Sequence, residues 1–96
     1  MRMPVYFVVQ EQINDEAGLA AYAKAAGQSE MTGTPLVIDD NLVHVEGDWH
    51  GTRLVILEFE DEADFRAWYD SPVYQEALQL RLAATDSRAV LARGLS

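Results

Sequence analysis

The sequence predicts an α+β fold, a sandwich in which an antiparallel sheet carries helices on one face. Two observations predict it. β-Branched and aromatic runs alternate with helix-period segments in the order strand, helix, strand, strand, helix, strand. The first and third of the strand-like runs are the most apolar, as the two inner strands of such a sheet should be. A chain of 96 residues is the size of one compact domain, so residues 1–96 are read as a single unit without linker or repeat.

Val5 to Gln10 is β-branched and aromatic and forms the first strand. Asn14-Asp15-Glu16 supplies a cap and two acids for a helix start, after which Leu19, Tyr22, Ala23 and Ala26 fall on one face. Gly27 is expected inside this helix. Gly33 is expected just past its end, in the left-handed conformation that glycine tolerates. Pro35 opens a second strand region, Leu36 to Glu46, interrupted at Asp39-Asp40-Asn41 by a turn or bulge. Gly47-Asp48-Trp49-His50-Gly51 reads as a hairpin loop, and Arg53 to Glu60 as the third strand. Asp61 caps the next helix, with Asp64 at the capping-box position and Phe65, Trp68 and Tyr69 as its inward stripe. Ser71 as N-cap and Pro72 in the first turn restart the helix, placing Tyr74, Ala77, Leu78 and Arg81 on one face. Arg88 to Arg93 is the last strand. This order is the ferredoxin-like split β-α-β unit, with strand order 4-1-3-2.

An antiparallel sheet with one wet face should alternate apolar and polar residues. Here Val5, Phe7 and Val9 oppose Tyr6 and Val8, while Val55, Leu57 and Phe59 oppose Leu54 and Ile56. Both faces of the inner strands are apolar, and two helices cover only one. A homodimer with sheets packed face to face is the expected solution.

Composition narrows the function. Sixteen carboxylates face one lysine and six arginines, a net charge of −9, which argues against nucleic acid as a partner. No apolar run is long enough to span a bilayer, and Met1 to Pro4 runs straight into a strand, so no membrane segment or secretory leader is expected and the default location is cytoplasmic. Without cysteine there is no disulfide, thiolate nucleophile or Cys-based zinc site. No glycine-rich phosphate loop occurs, and no cofactor is implied.

Glu58 is the candidate catalytic group. It falls late in an inner strand, where partial burial would raise its pKa and equip it as a general base. The competing reading is an ion pair with Arg81 or Arg53. Tyr22, Trp68, Tyr69, Tyr74 and Arg81 are the candidate ligand-binding groups, aromatic and hydrogen-bonding side chains for one cleft; the same spacing also describes an ordinary core. His44, Glu46 and His50 have metal-ligand chemistry, but the loop His lies apart and no fourth ligand accompanies them, so no metal is assigned. Ser71 lacks a partner His and reads as a cap.

Val45-Glu46-Gly47-x-Trp49, Val55-Ile56-Leu57-Glu58-Phe59, and Ala67-Trp68-Tyr69-x-Ser71-Pro72-x-Tyr74-Gln75 with Arg81 together resemble the bacterial domain-of-unknown-function family 1330 of the dimeric α/β-barrel superfamily. The resemblance runs from the first strand to Gly94. It departs at Thr32-Gly33, where members often carry Gly-Gly. It implies a ferredoxin-like, barrel-forming dimer and no established reaction. Superfamily relatives include cofactor-independent oxygenases and isomerases, so the expected function is binding of a small organic molecule between sheet and helices, with such an activity by analogy. The alternative is a non-enzymatic metabolite-binding or dimerisation module.

Overall fold

The computed structural model describes residues 3–95, so the leader reading, which includes Met1 and Arg2, falls partly outside the described residues. The elements in chain order are β1 (Val5–Ile13), α1 (Glu16–Ala26), β2 (Thr34–Asp39), β3 (Arg53–Phe59), α2 (Glu62–Tyr69), α3 (Pro72–Ala84) and β4 (Thr85–Arg93). The sheet runs β2-β3-β1-β4 with every pair antiparallel, the expected 4-1-3-2 order seen from its other edge. The fold is ferredoxin-like, an α+β layer pair in a slab of 39 × 35 × 15 Å.

Side-chain parity along β1 decides the layers. Val5, Phe7 and Val9 are buried against the helices, and so are Leu57 and Phe59 on β3. Tyr6 and Val8 register with Glu58 and Ile56 on the opposite face. Helix ends follow local chemistry. Asp15, Asp61 and Ser71 are N-caps, each side chain accepting a backbone N–H of the first turn. Ser71 also donates its hydroxyl proton to the Trp68 carbonyl (2.7 Å), so the α2–α3 joint is hydrogen-bonded from both sides.

Aromatic rings fill the core between α2, α3 and the sheet. Trp68 stacks on Phe59 at 5.5 Å and meets Tyr74 at 4.0 Å, with Phe7 and Phe65 beside them. Its indole N–H donates to Ser29 Oγ (2.9 Å), tying the segment after α1 to α2.

Three expectations need correction. β1 continues to Ile13, past the expected end at Gln10, because Glu11, Gln12 and Ile13 pair with Ser87, Asp86 and Thr85. Leu42 to Glu46 forms no strand. The β2–β3 ladder ends at Asp39–Leu54 and β3 begins at Arg53, so no strand remains alongside; Asn41 N–H folds back to Asp39 Oδ1 (2.8 Å). The left-handed residue after α1 is Glu30 (φ 54°), not Gly33, and Gly27 ends the helix instead of lying within it.

Gly33 is small for a different reason. A Cβ there would lie 2.7 Å from the Phe59 ring, which is 1% exposed and has no room to move. Gly33→Ala should therefore destabilise the fold by about 1–3 kcal/mol through overpacking, read from urea melts. An unchanged midpoint would show that the ring can yield.

Candidate functional site

α1 stands away from the sheet. None of its residues is buried, and it leans on α3, where Asn14 and Asp15 N–H groups both donate to the Ala84 carbonyl. The gap beneath it is a cavity of about 270 Å³. Its apolar wall comes from Phe7, Val9, Leu19, Val55 and Leu57; its polar atoms come from Glu11, Tyr22, Arg53, Tyr74 and Arg81. A larger hollow of about 370 Å³ lies against Leu42 to Glu46, Trp49 and Leu54, but Val43 and Val45 in its wall are each 86% exposed, so it is a fold of the surface.

The deep end of the cavity holds two charges. Glu11 is 4% exposed and Arg81 3%, and Glu11 Oε1 lies 3.7 Å from Arg81 Nη1. That is an ion pair but too long for a hydrogen bond. Glu11 Oε2 and Arg81 Nη1 are buried and have no hydrogen-bond partner. At this spacing the attraction is about 4 kcal/mol for an effective dielectric of 20, whereas burying each ion costs several kcal/mol. Desolvation accordingly dominates. It pushes the Glu11 carboxyl above the ordinary range despite the opposing pull of Arg81 and Arg53, while Asp40 pushes the same way as burial.

Around this pair, Tyr22 and Tyr74 share a hydrogen bond between their hydroxyls (2.9 Å), and the Arg81 guanidinium lies 5.8 Å from the centre of the Tyr22 ring. Burial first, then the neighbouring Tyr22, drives the Tyr74 phenol well above its usual pKa, with Arg81 acting against them. Arg53 flanks the cavity, held by Asp40 through two hydrogen bonds (2.5 and 3.0 Å), which keep the Asp40 carboxyl low. Gly51 (φ +78°) packs directly on the Glu11 backbone. A Cβ there would overlap the Glu11 carbonyl, which accepts Thr52 N–H at 2.9 Å.

Of the candidates read from the sequence, Tyr22, Trp68, Tyr74 and Arg81 line this cavity. Tyr69 does not; its ring stacks on Phe65 at 5.1 Å within the core. Glu58 is on the other face of the sheet, in register with Tyr6, because its neighbours Leu57 and Phe59 take the helix side. It therefore does not reach Tyr22, Tyr74 or Arg81, and the arginines expected beside it are engaged by Glu11 and Asp40. Glu11 also lines the cavity and is not among those candidates. Extending the alternation Val5, Phe7, Val9 by one step finds it, a carboxylate on the buried side of a central strand. His44 and Glu46 are exposed on the surface segment, and His50 Nε2 meets the Asp86 carbonyl at 2.9 Å. Among the described residues no three His, Asp or Glu side chains converge as metal ligands, and no helix is long and apolar enough to cross a membrane.

The sheet order and the cavity between sheet and helices define a ferredoxin-like protein with a largely apolar pocket that ends on a buried charged pair. The chain belongs to the family described as Domain of unknown function (DUF1330), whose model matches residues 4–95. No curated protein matches it. Among solved structures it is similar to the RPA0582 protein of unknown function from Rhodopseudomonas palustris, with 22% identity and a TM-score of 0.80 over 97% of this chain and 83% of that one. A dimeric ferredoxin-like protein of unknown function from Thermobifida fusca matches with 21% identity and a TM-score of 0.62, over 93% and 89% of the two chains. SnoaB, a cofactor-independent oxygenase from Streptomyces nogalater, matches with 16% identity and a TM-score of 0.61 over 97% and 94%. At these identities the likeness is one of fold.

The raised Glu11 carboxyl has a consequence for stability. A group with a higher pKa folded than unfolded holds its proton longer in the native state, so native stability falls as pH rises from about 4.5 through the folded value. Glu11→Gln should remove that fall. Denaturant midpoints across this window should give a wild-type curve that drops relative to the variant; parallel curves would contradict the assignment.

Proposed function

We propose that this protein binds a small, largely apolar organic molecule in the cavity beneath α1, and that it does so as a homodimer. The observation that carries the binding reading is the unsatisfied pair at the cavity's end. Two buried charges that complete no hydrogen bond with each other, opening onto about 270 Å³ of mostly apolar space, suit a ligand better than a closed core. An ion pair serving packing alone would close its hydrogen bonds, as Arg53 and Asp40 do at the surface.

The dimer reading rests on the uncovered sheet face. Tyr6, Val8, Val37, Leu54, Ile56 and Val90 run across all four strands on the side without helices. A contiguous apolar surface of this kind favours a second copy as its cover, and the dimeric description of the Thermobifida protein agrees with it. Exposed Val43 and Val45, beyond the end of the β2–β3 ladder, extend the same apolar margin. Acid–base chemistry without a bound nucleotide or metal, of the oxygenase or isomerase kind, is in keeping with the fold shared with SnoaB.

Ring-sized apolar compounds tested by thermal shift should stabilise the wild type by on the order of 10 °C at a hundredfold excess over Kd. Leu19→Trp, which fills the cavity from α1, should melt cooperatively yet show no such shift. If no compound stabilises either form, or if Leu19→Trp responds as the wild type does, the cavity is not a binding site. Val8→Arg places a charge on the uncovered face and should halve the mass found by light scattering; an unchanged mass would remove that face from the interface.

A further inference from the structure

The two unsatisfied atoms in the cavity constrain what a ligand must carry, an inference that rests on the binding role proposed above. Glu11 Oε2 lacks a partner and Arg81 Nη1 lacks an acceptor, and both side chains are more than nine-tenths buried. A plain carboxylate ligand would satisfy Arg81 but set a second anion beside Glu11, and an amine would satisfy Glu11 but face Arg81. A molecule with a donor and an acceptor on neighbouring atoms completes both, because the two side chains are near enough that Glu11 Oε1 stands 3.7 Å from Arg81 Nη1.

We infer that the cavity takes a ring-sized molecule bearing a hydroxyl next to a carbonyl, an enol or phenol-like hydroxy ketone, and that Glu11 removes the hydroxyl proton while Arg81 holds the resulting oxyanion. The O–H bond breaks, the proton bonds to Glu11 Oε2, and the electron pair left on oxygen delocalises into the neighbouring carbonyl. The negative charge stays where Arg81 Nη1 faces it, so the site keeps its net charge and needs no oxidant or second reactant for this step. An amide would also fill both positions but offers no comparably acidic proton. The carboxyl is suited to the task because burial raises its affinity for a proton. Phe7, Val9, Leu19, Val55 and Leu57 give the ring its apolar surroundings and exclude water from the pair. Tyr22, hydrogen-bonded to Tyr74 and set against the Arg81 guanidinium, holds the cation in place.

Tropolone and tropone test this directly, since they share one ring and carbonyl and differ by the adjacent hydroxyl. In chelator-treated buffer the wild type should bind tropolone at least about tenfold more tightly than tropone, the worth of a charge-assisted hydrogen bond. Bound tropolone should show the anion's absorption at a pH below its own pKa. Glu11→Gln should bind tropone as before and lose the preference for tropolone, and Glu11→Asp should restore part of it. Equal affinities in the wild type, a preference that survives Glu11→Gln, or bound tropolone with the acid's spectrum would each overturn the inference. The wild-type comparison stands even if Glu11→Gln fails to fold. Should neither ring bind while the apolar compounds above still stabilise the protein, the hydroxy-ketone assignment falls and the binding role survives. Should nothing bind at all, both fall.

Discussion

The alternation of side chains along β1 is the constraint on which the rest of this molecule depends. Val5, Phe7, Val9 and Glu11 share one side of a central strand, and Tyr6, Val8 and Gln10 share the other. The first three residues on the helix side build the core with Phe59, Phe65 and Trp68. The fourth continues the same row beyond the packed rings into the space under α1, so a carboxylate arrives where an apolar residue would have closed the layer. A slip of one residue in this strand would expose the core row and turn the row on the uncovered face toward the helices.

Burial and charge pull against each other at that fourth position. A carboxylate and a guanidinium taken out of water cost more than their attraction returns at 3.7 Å, and apolar residues of similar volume would stabilise the fold better. The molecule holds them apart with a hydrogen bond left open on each side, supported by Thr85, whose hydroxyl donates to the Arg81 carbonyl at the end of α3. Such an arrangement costs stability that an apolar layer would keep.

Much of the architecture was legible in the sequence, and the reasons are local. Asp15, Asp61 and Ser71 each sit before a helix-period run and each caps a helix through its own side chain. The Tyr74, Ala77, Leu78 and Arg81 face is buried throughout because its spacing matches the helical repeat. Two kinds of information were not local. Gln-Glu-Gln at the end of β1 has little strand propensity of its own and is held extended by pairing with β4, so the strand seemed to stop one residue short of Glu11. Leu42 to Glu46 alternates like a strand but has nothing to pair with, a fact set by where β3 begins. The parity that assigns Glu58 to the uncovered face was visible as two opposed apolar rows, yet which row meets the helices depends on packing that spans the whole chain.

The Ser71 joint makes α3 a lever. Arg81 lies ten steps along the chain from Ser71, roughly 15 Å of helix at 1.5 Å per residue. A swing of about 10° at that pivot would carry the guanidinium about 2.6 Å sideways, a large part of its distance from the carboxylate opposite. By fastening its hydroxyl to both helices, one serine outside the cavity lining helps fix the aim of the charge inside it.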